Sequence, residues 1–171
     1  ELACNIHDDR TAELYLLQIR PIVDSKQMLD EDVASVPDEH CLLRSHTSLG
    51  HGISEEVCDV LYVKYDDSFS AMNNFYVADE RINRKFLAEG RSYVLVGPGR
   101  WGSSDHYLGV PVKWPHISAA RVIVEVALKN YRVDPSQGTH FFQNLTSFGV
   151  GYFTIDTNAP DGGLIRKDLL D

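Results

Sequence analysis

Tyr93-Val94-Leu95-Val96-Gly97-Pro98-Gly99-Arg100-Trp101-Gly102-Ser103-Ser104-Asp105 begins as a short apolar run and opens into glycine, proline, arginine and hydroxyl residues. An apolar run bounded in this way reads as a buried strand, and the glycine-rich stretch after it as a shaped loop. Glycine at 97, 99 and 102 lets the backbone take positive φ and approach a ligand closely, while Pro98 fixes one turn position. Successive amides in such a loop can form an anion-binding nest, with Arg100 supplying a planar, permanently charged fork. The spacing fits neither the dinucleotide fingerprint nor the P-loop. A structural turn, with Arg100 meeting a carboxylate and Trp101 packed on the core, accounts for the same residues.

Upstream, Phe75, Ala78, Ile82, Phe86 and Leu87 recur at helical spacing over 69–89, and Gly90 stands where that helix should stop. A helix feeding the strand at 93–96 predicts a layered α/β arrangement. Residues 41–46 and 59–64 read as further strands, with a turn at 49–52 in which Gly50 and Gly52 flank His51. Downstream, 105–114 is irregular, and Pro111 and Pro115 confine any strand there to an edge. A helical turn is expected at 116–119, a buried strand at 121–128 and a last strand at 148–155, followed by a loosely held tail from Asp156.

Within the strand at 121–128, Glu125 is the least expected charge. A buried carboxylate needs a donor partner, and Arg100 is the nominated one. Ser136 is a reasonable N-cap, and His140, Gln143 and Asn144 then fall at i, i+3 and i+4 on one helical face. That face suits a sugar, an amide or a phosphate, and equally a solvated surface opposite Phe141 and Leu145. The expected fold is thus α/β, a mixed β-sheet flanked by helices. Its expected site, for a small phosphorylated or anionic ligand, joins Gly97, Gly99, Arg100, Trp101, Ser103, Ser104 and Asp105 to the His140, Gln143, Asn144 face at the carboxyl ends of the strands.

Composition narrows the function classes. With 171 residues, 43% hydrophobic and 24% charged, the chain has enough apolar material for a proper core. The net charge of −9, with dispersed Lys and Arg, argues against nucleic acid as a partner. No run approaches the roughly 20 apolar residues that span a bilayer. Cys4, Cys41 and Cys58 match no zinc spacing and read as reduced, mostly buried thiols of a cytoplasmic protein. Asp105 and His106 beside Ser103 and Ser104 are a weak hydrolase signal, because residues adjacent in sequence seldom form a triad.

Residues 1–6 and 13–19 read as two strands joined by a polar turn, the second closing in Leu17-Gln18-Ile19-Arg20-Pro21 and the first opening with Glu1-Leu2-Ala3. These residues resemble the end of the ATP-binding, ATP-grasp-like domain of bacterial phosphoenolpyruvate synthase and pyruvate, phosphate dikinase. The resemblance implies that Glu1 and Gln18 help to hold ATP and Mg2+, and that Arg20 contacts the transferring phosphoryl group in a catalytic role. It implies three parts: a terminal hairpin of the ATP-binding domain (1–23), a linker (24–40) and a C-terminal α/β domain (41–171). The polar turn is longer than the family's usual one. The family's phosphohistidine motif, Gly-Gly-x-Thr-Ser/Cys-His, does not appear after the linker; Gly138-Thr139-His140 is its nearest approach and continues into Phe141 and Phe142.

Residues 93–155 also resemble the C-terminal region that accompanies the ATP-binding domain in some bacterial phosphoenolpyruvate synthase-like proteins. The implied parent is a phosphotransferase that converts pyruvate to phosphoenolpyruvate, with the rest of its own ATP-binding domain as partner. The chain alone lacks the other cationic groups and the glycine-rich cover of a nucleotide cradle, so neither turnover nor bound ATP is expected of it. The rival reading is a non-catalytic docking or homo-oligomerisation module.

Overall fold

The computed structural model describes residues 2–8, 11–17, 35–50, 52–65, 80–103, 109–127, 145 and 147–171. Its centre is a five-stranded mixed sheet. In chain order the strands are β3 (Leu43–Arg44), β4 (Thr47–Leu49), β5 (Asp59–Tyr62), β6 (Tyr93–Pro98), β7 (Arg100–Trp101), β8 (Gly109–Val110), β9 (Ala120–Val126), β10 (Gly151–Ile155) and β11 (Leu164–Ile165), after an N-terminal ribbon of β1 (Leu2–Ile6) and β2 (Ala12–Leu16). The main sheet runs β4-β10-β9-β6-β5. Pairings β5 to β6, β6 to β9 and β9 to β10 are parallel, and β4 runs antiparallel to β10 at one edge. The chain is mixed α/β, as its alternation of helix and strand patterns predicts.

Strands β6 and β9 sit centrally and are apolar on both faces, as a covered parallel sheet requires. Period-two alternation divides their side chains between two layers. Tyr93, Leu95, Ile123 and Tyr152 face one way, against Trp101, Ile117, Leu145 and the partly buried Phe86. Val96, Val124, Val126 and Ile155 face the other, against Leu43 and Ile165.

Phe86 belongs to α1 (Glu80–Ala88), the described part of the helix expected over 69–89. The helix ends at Gly90, the expected stop. The Arg91 amide donates to Phe86 O at 2.9 Å and the Gly90 amide to Leu87 O at 3.2 Å, with Gly90 at φ 64. This paired closure uses the last carbonyls of the helix. On the same helix Asn83 is 1% exposed and bolts α1 to the segment before β9. Its amide nitrogen donates to Pro115 O at 3.0 Å and Ser118 Oγ at 3.2 Å, and its oxygen accepts from Tyr93 Oη at 3.0 Å and the Ala119 amide at 2.9 Å.

Four expectations are corrected. The strand expected over 41–46 is cut to Leu43–Arg44, and the turn expected at residue 49 is instead the end of strand β4. The cause is Ser45: its hydroxyl donates to Thr154 O at 2.6 Å and accepts from the Thr47 amide at 3.1 Å, replacing ladder bonds with a local kink. The tail is held, not loose, because β11 pairs antiparallel with β3 and Ile165 enters the second core. The thiols form no disulfide, but Cys4 and Cys58 are exposed and Cys41 half-buried, so they are not core residues.

The expected linker lies mostly outside the described residues. Its last residues are tied to the domain: Arg44 reaches Asp38 at 3.2 Å and donates to Val36 O. The hairpin β1–β2 is a two-stranded sheet of its own, with Leu2 opposite Leu16, Cys4 opposite Leu14 and Ile6 opposite Ala12. Those six residues share one face, and Leu2 (60%), Ile6 (81%), Leu14 (68%) and Leu16 (60%) are exposed on it. The opposite face is polar, with Tyr15 Oη donating to Glu13 at 2.7 Å and His7 3.4 Å from the same carboxylate. Among the described residues no helix is long and apolar enough to cross a membrane.

Candidate functional site

The glycine loop leaves the sheet at the carboxyl end of β6. Gly99 and Gly102 take left-handed φ values of 67 and 75, which residues with side chains adopt reluctantly. Gly97 is not in that region; it is glycine because the Trp101 indole lies on it. A Cβ there would stand 2.5 Å from Trp101 Cζ2. The amides that a nest would aim at an anion are engaged inside the protein. Gly99 donates to Val126 O and Gly102 to Val110 O, both at 2.9 Å, and Trp101 donates to Glu125 Oε1 at 2.9 Å. The indole nitrogen adds a bond to Val124 O at 3.3 Å. In the described residues the loop therefore seats Trp101, which is 1% exposed, over the end of the sheet.

Glu125 is 0% exposed. In the ladder it lies between Gly97 and Thr154. Its carboxyl accepts from the Trp101 amide on one oxygen and from the Tyr152 hydroxyl on the other. Arg100 is the partner expected from sequence; the contribution seen from that loop is the next residue's backbone amide. Directional donors of this kind answer the desolvation of a buried carboxyl group and fix its orientation.

Beside Glu125, at the carboxyl ends of β9 and β10 and the start of the antiparallel β4, lies a cleft of about 90 Å³. Glu125, Thr154, His46, Thr47, Asp156 and Asp161 supply its polar lining. The carboxyl edge of parallel strands is where such sheets present ligand sites. The walls are braced. The Asp156 amide donates to Gly162 O at 2.7 Å, and Asp156 Oδ1 accepts from the Asn158 amide at 3.0 Å. A Cβ on Gly162 would stand 1.5 Å from Asp156 O, so this closed loop admits only glycine there. The Ser45 bond to Thr154 O holds the His46 segment against β10. Carboxylates, hydroxyls and an imidazole make a wall rich in acceptors. Among the described residues, no three His, Cys, Asp or Glu side chains come together closely enough to hold one metal ion.

Of the expected site, Gly97 lies in β6 opposite Glu125, and Gly99, Arg100, Trp101 and Ser103 follow it in the loop and in β7, which pairs with β8; none of the five lines the cleft. Ser104, Asp105, His140, Gln143 and Asn144 lie outside the described residues, as do Glu1, Gln18 and Arg20. Sequence reasoning singled out Glu125 but missed His46, Thr47, Asp156 and Asp161. Their signal was faint: Ser45 and Thr47 astride a histidine, and a turn-rich Asp156 to Gly163 segment that resembled a tail.

The fold and the cleft define an α/β domain with a polar depression at the carboxyl edge of a mixed sheet. No protein-family model, curated protein or solved structure matches the chain.

Proposed function

We propose that the chain is the C-terminal part of a bacterial, cytoplasmic, ATP- and Mg2+-dependent phosphotransferase of the phosphoenolpyruvate synthase type, acting on pyruvate. In this reading the ribbon is the rim of an ATP-grasp-like cradle and the α/β domain a ligand-binding or accessory unit. The observation that carries it is the ribbon. Its strands lead into Leu17-Gln18-Ile19-Arg20-Pro21, and one whole face of it is apolar and uncovered. A two-stranded ribbon is at best marginal alone, and an exposed apolar face of this extent marks an interaction surface. The rest of the ATP-binding domain is the layer that would cover it.

The residue types suit the roles. The Glu1 carboxylate and the Gln18 amide oxygen are hard oxygen ligands for Mg2+, and the Arg20 guanidinium can bind equatorial phosphoryl oxygens as charge develops on them. The test is phosphoenolpyruvate formation from pyruvate and ATP by the protein expressed from its whole reading frame. Arg20→Ala should lower kcat by roughly 10³-fold or more, the scale of an arginine that stabilises a transferring phosphoryl group, with sedimentation unchanged. Absence of turnover, or a variant at the wild-type rate, would count against the reading.

The uncovered face also favours a second reading, the docking or self-association module. Under it Leu14→Glu would change the sedimentation coefficient, and no pyruvate would be phosphorylated by either form.

A further inference from the structure

We infer that the short helix α2 (Lys167–Leu170) is a reversible strap over Tyr65, weakly held because its docked position leaves the Tyr65 hydroxyl buried without a hydrogen bond. The inference goes beyond the proposed function and does not depend on it.

The chain is tied down as far as Arg166. Strand β11 pairs with β3, Ile165 enters the second core, and the Arg166 amide donates to Leu42 O at 2.9 Å. Beyond that point the contacts change in character. No residue of α2 is buried, and Leu169 is 62% exposed. Lys167 places Nζ 3.9 Å from the centre of the Tyr65 ring. Asp171, just past the helix, holds its carboxylate 3.5 Å from Lys64 Nζ, which also donates to Asp171 O at 3.2 Å.

These attachments are weak. The side chains of Lys64 and Asp171 are both mostly exposed, and an exposed ion pair contributes little against water and salt. A cation over a tyrosine ring adds a modest attraction. Against them stands the Tyr65 hydroxyl, which is buried with no hydrogen-bond partner; a polar group left in that state costs as much as either attachment gains, or more. Its neighbours do not relieve it. Tyr62 meets Tyr65 edge to face with ring centres 6.0 Å apart, and Asp171 lies near both phenols without accepting a hydrogen bond from Tyr65.

Lifting α2 lets water reach the phenol, so undocking recovers most of what it loses in contacts. Local opening of this kind is drawn from the least stable parts of a fold. The strap lies past the carboxyl end of β5, which stops at Tyr62. This is the edge at which parallel sheets present ligand sites. Opening uncovers the Tyr62 and Tyr65 pair there and leaves β11 and the main sheet in place.

The test is hydrogen exchange read by mass spectrometry from milliseconds to minutes on the protein expressed from its whole reading frame. The reporters are the Leu169 and Asp171 amides, which donate to Arg166 O at 3.1 Å and Lys167 O at 2.9 Å; peptides over β9 and β10 report that the domain is folded. Tyr65→Phe keeps the ring under Lys167 and removes only the unpartnered hydroxyl. It should slow exchange at the reporters by about fivefold or more. Lys167→Met removes the cation and keeps the length of the side chain, and should speed exchange by about twofold or more. Tyr15→Phe, the same chemical change on the ribbon, should leave residues 166–171 as they are. A phenol satisfied by a bound water would make Tyr65→Phe exchange as fast as the parent or faster, and that result overturns the inference. So does Lys167→Met at the parent rate, or exchange in α2 that rises only together with that of β9 and β10.

Discussion

Replacing Gly97 with alanine separates the two roles a glycine loop can have. The new methyl group would stand 2.5 Å from Cζ2 and 3.2 Å from Cε2 of Trp101, and 3.2 Å from Cγ2 of Val63. Carbon atoms settle at about 3.5–4.0 Å, so the indole must retreat by roughly 1 Å. It has nowhere to go, being 1% exposed and anchored by its backbone amide to Glu125 and by Nε1 to Val124 O. Overpacking of this kind costs about 1–3 kcal/mol, and weakening one buried bond adds about 1 kcal/mol. The expected destabilisation is therefore about 2–4 kcal/mol, read in urea denaturation as a midpoint lowered by roughly 1–2 M. In a Trp101→Phe background the same methyl group should cost at least about 1 kcal/mol less, because the clashing atoms are gone. A Gly97→Ala protein within about 0.5 kcal/mol of the parent, or costs that simply add, would refute the packing role and return Gly97 to the ligand loop.

Asn83→Ala should destabilise the domain by about 2–4 kcal/mol in the same assay, since it leaves the Tyr93 hydroxyl and the Ala119 amide without their acceptor; a loss below about 0.5 kcal/mol would show that α1 is not bolted through this residue. Tyr152→Phe removes a hydroxyl donor from the buried Glu125 carboxyl and should cost about 1.5–3 kcal/mol, whereas an unchanged midpoint would mean that the bond is not held in solution. Burial raises the Tyr93 phenol above its ordinary 10.0, and burial first, then nearby Tyr62 and Asp171, raises that of Tyr65. The folded state therefore favours both neutral phenols, and their contribution to stability is intact below pH 10 and is lost as pH rises toward the folded-state values. Ultraviolet titration should find tyrosines, Tyr65 and Tyr93 among them, that ionise above the ordinary range and together with unfolding; all eight ionising together near the ordinary value in a folded protein would contradict that burial.

Where a signal was local, the sequence was legible. The strand at Tyr93 to Val96, the stop at Gly90 and the buried strand around Glu125 all follow from apolar runs and a single conformational preference, and each is present in the fold. Pairings between distant segments were not legible. Strand β4 is only Thr47–Leu49, a polar stretch whose place is set by pairing with β10 and by the Ser45 hydroxyl on Thr154, more than a hundred residues away in the chain. The tail read as loose because nothing local says that Ile165 will find Leu43. The same blindness hid half the cleft, since His46 and Asp161 meet only once β4 and the Asp156 loop have been placed. Gly97 shows the converse limit: its type was noticed, but what it accommodates is an indole four residues on, which conformational freedom alone does not reveal.

The nucleotide-rim assignment of the ribbon is tested most directly by hydrogen exchange, read by mass spectrometry on the protein expressed from its whole reading frame, with and without MgATP. Slower exchange on adding MgATP, concentrated in residues 1–21 with β6, β9 and β10 unchanged, is the predicted result. Protection absent from the ribbon, or confined to the α/β domain, would contradict it.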